Sequence, residues 1–290
     1  MAREPEPRKR RFLDYPRSGK TGLRRWLPSW RLVLGAFLTV LFLGVGVVVA
    51  AYMSTTIPAV QDMVHAQTTT VYYADGTTEM GRFAVENREI VDYETLPEHV
   101  GLAVVAAEDQ TFFDNSGIDP VGTVRALWNN VRYGTKQGGS TLTQQYAERY
   151  YQGTTRDYVG KFREALLAVK ISQEQDKEEI LGNYLNTIYY GRGAYGVQAA
   201  AQAYFGTDAA DLTVEQSALL AGVIPAPSRF DPRVDAEQAE RRWNYVLGRM
   251  TADGYVDAAE RADMEFPEVE DYEQSDTYAG TQGYLLSMVR

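Results

Sequence analysis

The sequence predicts a mainly α-helical protein with one small β-hairpin and a single N-terminal transmembrane helix. Three features predict this fold class: an uncharged apolar run at residues 32–53, two β-branched and aromatic segments around Asp75-Gly76, and helical patterning from Pro97 onward. The length of 290 residues allows one or two domains at about 150 residues each. No repeat of fixed period is present, so we expect one domain beyond the apolar run.

Composition excludes several kinds of site. The chain has no cysteine, which excludes disulfides, zinc-thiolate sites, iron–sulfur clusters and a cysteine nucleophile. Its two histidines, His65 and His99, leave little material for a histidine metal site or a Ser-His-Asp triad. Because 44% of the residues are hydrophobic, the chain can build a core and is not disordered as a whole.

The apolar run predicts a membrane anchor and its direction. A helix over residues 32–53 would span about 33 Å, enough for a hydrocarbon core of about 30 Å. A cleavable signal peptide has a shorter apolar region, of about 7–15 residues. Residues 1–31 hold ten basic and three acidic residues, and such a basic flank stays in the cytoplasm. We therefore expect a single-pass type II protein of the cytoplasmic membrane, with residues 54–290 extracytoplasmic.

The basic N-terminal tail is followed by a segment with an excess of acidic residues. This charge asymmetry is also compatible with nucleic-acid binding. The adjoining apolar run instead favours contact with membrane lipid headgroups, so no nucleic-acid partner is expected. The chain is thus expected to divide into five segments. They are a cytoplasmic tail, a transmembrane anchor, a linker, a main folded domain and a C-terminal connection, at residues 1–31, 32–53, 54–67, 68–255 and 256–290.

The remaining elements follow in order along the chain. Segments 69–73 and 77–83 flank Asp75-Gly76, a hairpin turn signal. Pro120 is typical of a first helical turn, and Ser140 is a candidate N-cap after the glycine-rich break at residues 134–139. Thr155 or Asp157 is a candidate cap for the next helix, which runs through Ile171. We expect helices over residues 100–113, 120–133, 140–151, 155–171, 178–190, 197–205, 213–221 and 236–252.

Glu108 is the first candidate for chemistry. It ends an apolar helical stripe beside Asp109, where partial desolvation would raise the pKa of its carboxyl group and suit it to general acid–base work. The alternative is an ordinary solvated acid pair, which position alone favours.

Two further strings carry polar groups in suggestive patterns. The string GGSTLTQQ at residues 138–145 combines glycines with a helix N-terminus, which is a ready anion site, although a mobile loop before a capped helix is the alternative. It lacks the lysine of a P-loop. Glu164 and Lys161 share a helix face, and an i,i+3 ion pair is the simplest interpretation.

Five strings in order resemble the peptidoglycan glycosyltransferase domain, family 51, found in class A penicillin-binding proteins and monofunctional transglycosylases. They are EDQTFFDNSG, GGSTLTQQ, KFREA, KEEILGNYLNTIYYGRGAYG and LLAGVIPAPSRFDP. The similarity covers about residues 68–255. It implies a lysozyme-like, mostly helical fold with a jaw that dips into the membrane, and polymerisation of lipid II into β-1,4 glycan strands. Release of undecaprenyl pyrophosphate and inversion at the donor carbon are implied with it.

The resemblance also assigns residues. Glu108 would be the general base, Asp109 would orient and tune it, and Glu164 would assist the departing pyrophosphate directly or through Mg²⁺ or Mn²⁺. No metal-ligand set follows from it. Substrate contacts are implied for Asp109, Phe112, Asn115, Lys136, Ser140, Thr141, Gln144, Gln145, Arg156, Lys161 and Asn186. The partners implied are lipid II, the growing glycan strand and membrane lipid.

A lipid-linked substrate needs an apolar surface along which it can approach the site. We place this surface and a mobile loop that gates the site on two neighbouring segments of the chain. Six apolar residues of the 120–133 helix are candidates for the surface, with ordinary helix core as the alternative: Val121, Val124, Leu127, Trp128, Val131 and Tyr133. Residues 133–139 would form the gate.

The chain departs from the family pattern at three positions. Asn115 stands where the family usually has histidine, Gly160 where it has arginine, and Glu148 where it has lysine or arginine. Two cations expected near the pyrophosphate are therefore missing or moved. Candidates to compensate are Arg149, Arg163 and Lys170.

These departures keep a second function open, a catalytically weakened membrane scaffold that binds lipid II or cell-wall synthesis proteins. A lytic, lysozyme-like hydrolase is a third alternative. No SxxK box occurs, and the stretch at residues 278–290 is typical of the start of a strand or connection. We therefore expect a truncated form of a longer protein whose transpeptidase domain is absent, with a monofunctional transglycosylase as the alternative.

Overall fold

The computed structural model describes residues 15–17, 20–57, 68–77, 79–84, 87–134, 138–150 and 158–271. The chain divides into two units, residues 1–55 and 56–290. The described residues are mostly helical with small strands, as the sequence predicts.

The first unit contains one long helix. It is α1, Trp30–Ser54, which includes the whole predicted span of residues 32–53. The hydroxyl of Ser29 accepts a hydrogen bond from the backbone N–H of Leu32 at 3.3 Å and so caps its first turn. With a mean hydropathy of 2.8 over its most apolar window, α1 is long and apolar enough to cross a membrane.

The predicted hairpin opens the described part of the second unit. Strands β1, Thr68–Tyr72, and β2, Glu79–Ala84, pair antiparallel, with Thr68 opposite Ala84. At the turn, Gly76 has a φ of +71°, and the N–H of Thr77 donates to the Asp75 carboxylate at 3.0 Å. Asp-Gly thus supplies the turn chemistry that the sequence indicated.

A second small sheet was not predicted. Its strand order is β3-β5-β4, with β3 at Asn87–Arg88, β4 at Tyr189–Gly191 and β5 at Ala194–Tyr195. The expected helix over residues 178–190 ends at Thr187, and residue 190 lies in β4. Gly196 follows with a φ of +85°, and a Cβ there would lie 2.8 Å from the carbonyl oxygen of Asn186. Only glycine fits this close approach.

Ten helices of the described second unit form its body. In chain order they are α2 Glu98–Glu108, α3 Pro120–Tyr133, α4 Leu142–Tyr150, α5 Tyr158–Glu174, α6 Lys177–Thr187, α7 Val197–Phe205, α8 Val214–Val223, α9 Pro227–Phe230, α10 Ala236–Ala252 and α11 Ala258–Asp263. The predicted α3, α7 and α10 agree in both bounds. The predicted helix over residues 100–113 ends five residues earlier, because Asp109 leaves the helical conformation at φ −154°, ψ 85°.

The core of this unit gathers around α2 and α4. Helix α2 packs against α8 and α10, while α4 packs against α5 and α6. Val105, Tyr146 and Tyr184 are fully buried within this core. The ends of α2 and α4 are thereby held rigidly, and both ends carry the polar groups described below.

Part of the expected C-terminal connection packs back on the same unit. The N–H of Glu270 donates to the carbonyl of Tyr204 at 2.8 Å, and the Phe266 ring meets the Trp243 ring edge-on at 5.5 Å. Arg192, in a bidentate ion pair with Asp231, also donates to the carbonyl of Glu270 at 3.0 Å. The described residues after 255 therefore belong to the folded unit.

Candidate active site

Glu108 is the carboxylate around which the site is built. It is the last residue of α2, and its side chain is only 12% exposed. One carboxylate oxygen accepts a hydrogen bond from Gln145 Nε2 at 3.0 Å, and the other lies 3.5 Å from Arg242 Nη2. Burial raises the pKa of Glu108, while the Gln145 hydrogen bond and the Arg242 charge oppose this rise and the Asp109 charge adds to it. This is the desolvated carboxyl group that the apolar end of α2 indicated.

Gln145 is itself held in one orientation. The hydroxyl of Tyr184 donates to Gln145 Oε1 at 2.9 Å, which leaves the amide nitrogen to face Glu108. Complete burial raises the pKa of Tyr184 well above its ordinary value, so its hydroxyl stays protonated and remains a donor. Gln145 on α4, held by buried Tyr184, therefore presents an N–H donor to the Glu108 carboxylate.

Asp109 joins the two helix ends. One oxygen accepts from the backbone N–H and hydroxyl of Thr111 at 3.2 and 2.9 Å. The other accepts from Asn115 Nδ2 and from the backbone N–H of Leu142, both at 3.0 Å. Since Leu142 is the first residue of α4, this carboxylate fixes the end of α2 against the start of α4. The orienting role expected for Asp109 stays a prediction.

Asn115, where the resemblance leads us to expect histidine, forms part of this hydrogen-bond network. Its carboxamide donates to Asp109 and accepts from the backbone N–H of Gly117 at 3.0 Å. Lys177 Nζ donates to the Asn115 carbonyl at 2.7 Å and lies 4.7 Å from the centre of the Phe112 ring. Burial lowers the pKa of Lys177, and the charges of Asp109 and Asp114 oppose that shift. The structure thus places a cation behind Asn115 that the sequence analysis missed.

The N-cap of α4 is Thr141, which corrects the prediction of Ser140. Thr141 Oγ1 accepts from the backbone N–H of Gln144 at 3.1 Å, and Gln144 Oε1 accepts from the backbone N–H of Thr141 at 2.9 Å. These two bonds form a capping box with glutamine at its fourth position. Thr141 also donates to the carbonyl of Gly117 at 2.6 Å and is buried, so it and Gln144 hold the helix end. Ser140 is exposed and remains available to a ligand.

Two predicted substrate contacts are structural instead. Phe112 is fully buried in the core. Asn186 is 4% exposed, and its amide exchanges hydrogen bonds with the backbone of Val91 at 2.9 and 3.0 Å. It therefore ties α6 to the chain before α2. Two further predicted contacts, Lys136 and Arg156, lie outside the described residues.

Glu164 lies in the middle of α5 and forms the predicted pair with Lys161. The distance from Lys161 Nζ to Glu164 is 2.7 Å, and the Glu164 side chain is only 3% exposed. The same Nζ lies 3.4 Å from Glu148, where the resemblance leads us to expect a lysine or arginine. The Lys161 charge is thus shared between two carboxylates. Of the compensating cations proposed, Lys170 pairs with Glu174 at 3.7 Å, while Arg149 and Arg163 are exposed.

A cavity of about 500 Å³ opens beside Glu108. It brings together Glu108, Asp109, Ser140, Thr141 and Gln145 from the predicted set, whereas Lys161 and Glu164 are not among the residues that line it. Its other wall was not predicted and carries Arg125, Phe230, Arg242, Tyr245 and Arg249. The 3–4 spacing of 242, 245 and 249 on amphipathic α10 is the signal that could have indicated this wall.

The predicted apolar surface of α3 is exposed. Val124, Trp128 and Val131 are 66%, 62% and 79% exposed, and Ala126 is the one buried residue of the helix. Core packing is therefore the wrong alternative for these side chains. An exposed apolar face this long is typical of a membrane or partner surface. The expected gate at residues 133–139 lies partly outside the described residues, which omit 135–137.

The described residues do not fit a resident metal ion. They contain no cluster of three or more histidine, aspartate or glutamate side chains arranged to hold one. The two carboxylates that approach each other beside Lys161, Glu148 and Glu164, are already bridged by its ammonium group. Carboxylate oxygens are what Mg²⁺ prefers, but one or two of them bind it only together with waters or substrate phosphates.

Comparison with known proteins shows which family this sequence matches. The sequence pattern of the family described as "Transglycosylase" matches residues 76–251. Among curated relatives, penicillin-binding protein 1A of Mycobacterium tuberculosis is 38% identical over 92% of this chain and 32% of its own length. The proteins of that name from Mycolicibacterium smegmatis and Aquifex aeolicus are 42% and 45% identical, over 75% and 66% of this chain.

These relatives are much longer than the chain described here. It spans about a third of their length or less: 32%, 28% and 26% of the three proteins. Among solved structures, penicillin-binding protein 1A from Haemophilus influenzae is 25% identical with a TM-score of 0.45, covering 77% of this chain and 24% of that one.

Proposed function

The chain belongs to the transglycosylase family, and from that premise we propose that it is a peptidoglycan glycosyltransferase that polymerises lipid II into β-1,4 glycan strands. The observation that carries the proposal is the environment of Glu108. A carboxylate that is buried, raised in pKa and held by Gln145 and Arg242 at a cavity is suited to take a proton from a hydroxyl group.

The proposed step is an in-line displacement. Glu108 takes the proton of the acceptor 4-hydroxyl as that oxygen attacks the anomeric carbon of the donor. The new C–O bond forms as the bond to the diphosphate breaks, and undecaprenyl pyrophosphate leaves with the electron pair. Attack from the face opposite the leaving group converts an α-linked donor into a β-linked product.

The other side chains act by binding and orientation. Asp109 and Asn115 hold the end of α2 to the start of α4, and Gln145 fixes the Glu108 carboxylate. Ser140 offers an exposed hydroxyl at the helix N-terminus, where N–H groups favour a donor phosphate. Glu164, buried on α5, and Lys161, exposed beside it, are proposed to act on the leaving diphosphate.

A divalent ion enters the proposal only with the substrate. Since the described residues hold no metal cluster, Mg²⁺ or Mn²⁺ would be carried by the diphosphate oxygens and would neutralise their charge. Removal of divalent ions with EDTA, followed by return of Mg²⁺ or Mn²⁺, tests the requirement.

We also propose that the protein works at the membrane surface. Helix α1 would anchor it as a single-pass type II protein, with its catalytic unit outside the cytoplasm. The exposed apolar face of α3 would contact lipid, where a lipid-linked substrate resides. Lipid II, the growing strand and membrane lipid are then its partners.

Product analysis tests this function. The detergent-purified chain is incubated with labelled lipid II and, separately, with finished glycan strands. A polymerase lengthens chains from lipid II and leaves finished glycan intact, whereas shortened strands would identify a hydrolase and contradict the proposal.

A membrane scaffold is the second candidate, and the pairing of Lys161 with Glu148 favours it because that pairing weakens a cation expected to meet the diphosphate. Binding of lipid II by the folded chain, without any polymer, would identify the scaffold. The charge-restoring variants Glu148→Lys and Gly160→Arg would then be expected to restore synthesis.

A further inference from the structure

Two carboxamide side chains orient the two adjacent carboxylates of the candidate site. Gln145 Nε2 donates to Glu108 at 3.0 Å, and Asn115 Nδ2 donates to Asp109 at 3.0 Å. A carboxamide has donors on its nitrogen and acceptors on its oxygen, so a reversed amide would turn an acceptor toward a carboxylate. Each amide therefore has to be held in one orientation by a further group.

One helix supplies the holding group for both amides. Helix α6 packs against α2 and α4, and it carries Lys177 and Tyr184 seven residues apart. Seven residues are about two helical turns, so the two side chains lie on the same face of α6, with roughly 10 Å between them along the axis. A single face of one helix therefore meets both amides.

Tyr184 holds Gln145. Its hydroxyl is fully buried and donates to Gln145 Oε1 at 2.9 Å, while Gln145 Nε2 faces the Glu108 carboxylate. In the reversed amide, Oε1 and the carboxylate would be two acceptors facing each other without a proton between them, which is unfavourable in a buried place. The hydroxyl and the carboxylate together thus allow one orientation of Gln145.

Lys177 holds Asn115 in the same way. Its ammonium group donates to the Asn115 backbone carbonyl at 2.7 Å and lies 3.4 Å from Oδ1, which also accepts from the backbone N–H of Gly117. Both of these partners are donors only, so they hold the amide oxygen and leave Nδ2 for Asp109. Lys177 is the first residue of α6, where the helix dipole disfavours a cation, so the helix itself does not explain a lysine there.

We propose that Tyr184 and Lys177 are positioning residues, and that α6 aligns both carboxylates of the site through the two amides. Neither side chain is among the described residues that line the cavity, so both would act on the rate of proton transfer rather than on substrate affinity. The inference rests on the proposed function, because this alignment affects the rate only if Glu108 is the base.

NMR of the side-chain amides tests the two contacts without turnover. The full chain in detergent is labelled with ¹⁵N in the side chains of glutamine and asparagine, and the Gln145→Ala and Asn115→Ala variants assign the two NH₂ signals by their loss. We expect Tyr184→Phe to shift the Gln145 signal and leave the Asn115 signal in place. Lys177→Met should do the reverse, and Lys177→Arg, which keeps the charge, should shift the Asn115 signal less.

Tyr190→Phe is the matched control. The Tyr190 hydroxyl is as buried as that of Tyr184 but forms no hydrogen bond within the described part of the chain, so its removal should move neither signal. An amide signal that stays in place when its own holding group is removed would overturn the proposal. Equal shifts of both amides in one variant would overturn it as well, because a general change in packing would then account for them.

Wild type allows a further check that needs no folded variant. Because both amides are held, their NH₂ groups should exchange with solvent roughly tenfold or more slowly than those of exposed glutamines. Equal exchange rates would overturn the proposal.

Kinetics with labelled lipid II test the consequence for synthesis. We expect Tyr184→Phe and Lys177→Met to lower kcat roughly tenfold and to change KM by less than about twofold, since the alignment of the base is lost and the substrate contacts remain. Lys177→Arg should lie between Lys177→Met and wild type, and Tyr190→Phe should match wild type. A raised KM with unchanged kcat, or wild-type kcat in both folded variants, would overturn the positioning role.

The NMR and kinetic measurements separate this inference from the function on which it rests. Amide shifts confined to the expected variants, in a chain whose wild type makes no polymer, would support the positioning contacts and contradict the polymerase. Polymer synthesis that the folded Tyr184→Phe and Lys177→Met variants carry out at the wild-type rate would support the polymerase and contradict the positioning role.

Discussion

At the scale of single residues, the groups that surround each carboxylate of the site determine the role it can have. Glu108 and Asp109 are adjacent, yet Glu108 faces a cavity with two partners while Asp109 is saturated by four donors. The apolar stripe of α2 predicted the desolvation of Glu108. It did not predict Arg242, because contacts between distant parts of a chain depend on packing that no local pattern records.

The ionisation of Glu108 leads to a prediction about pH. A general base works when ionised, so the rate should fall as pH drops through its pKa, which burial places above the ordinary glutamate value of about 4.3. Arg242 opposes that rise, and Arg242→Met should therefore move the acidic limb of kcat/KM to higher pH. Rate profiles of the two proteins between about pH 4 and 8 measure this.

Arg241→Met is the control for that profile, because Arg241 lies on the same helix but pairs with Glu237 on the surface. Its acidic limb should coincide with that of wild type. A limb that stays in place in Arg242→Met would show that the guanidinium does not act on Glu108.

At the scale of elements, neighbouring residues of the motif at the start of α4 have different roles. GGSTLTQQ predicted a capped helix, and a capped helix is present, but the cap is one residue later than expected. Both Ser140 and Thr141 are good N-cap residues, so the sequence could not separate them. The Thr141 hydrogen bond to the carbonyl of Gly117, a contact from outside the helix, accompanies the choice.

These different roles predict that substitutions at Thr141 and at Ser140 change the free energy of unfolding by different amounts. Thr141→Ala should lower the free energy of unfolding by about 1–2 kcal/mol, because it removes an N-cap and a buried hydrogen bond. Ser140→Ala, at an exposed position, should change it by less than about 0.5 kcal/mol. Denaturant unfolding followed by circular dichroism in detergent compares them, and equal losses would contradict the assigned cap.

The exposed face of α3 leads to a prediction about the membrane. Leu127→Glu and Val131→Glu place charges on a face we assign to lipid, and should reduce synthesis in proteoliposomes roughly tenfold while leaving the fold intact. Val234→Glu, at a 69% exposed valine before α10, is the matched control and should retain activity. Equal activity of all three variants in liposomes would exclude lipid contact through α3.

At the scale of the whole molecule, local patterns predicted the helices and the first hairpin, and missed the small sheet. Helices and an Asp-Gly turn are encoded within a few residues, whereas β3 and β5 are two residues long and pair across most of the domain. Such short strands leave no period in the sequence to detect. The packing of residues 264–271 against the core was also missed. It depends on contacts with Arg192 and Tyr204, which are distant in sequence.

The direction of the chain across the membrane can be tested because the protein has no cysteine of its own. A single Lys20→Cys should react with a membrane-impermeant maleimide only after cells are opened, since the basic flank is expected inside. Ala210→Cys, exposed in the catalytic unit, should react in intact cells. The opposite labelling pattern would contradict the type II orientation.

The measurement that tests the account most directly compares Glu108→Gln with wild type in glycan synthesis from labelled lipid II. Glu215→Gln, at a half-buried glutamate in the first turn of α8 that does not line the cavity, is the control. We predict that wild type and Glu215→Gln make long polymer, and that folded Glu108→Gln loses at least a hundredfold in rate while still binding lipid II. Polymer made by Glu108→Gln at a rate near that of wild type would contradict the role of Glu108 as the base.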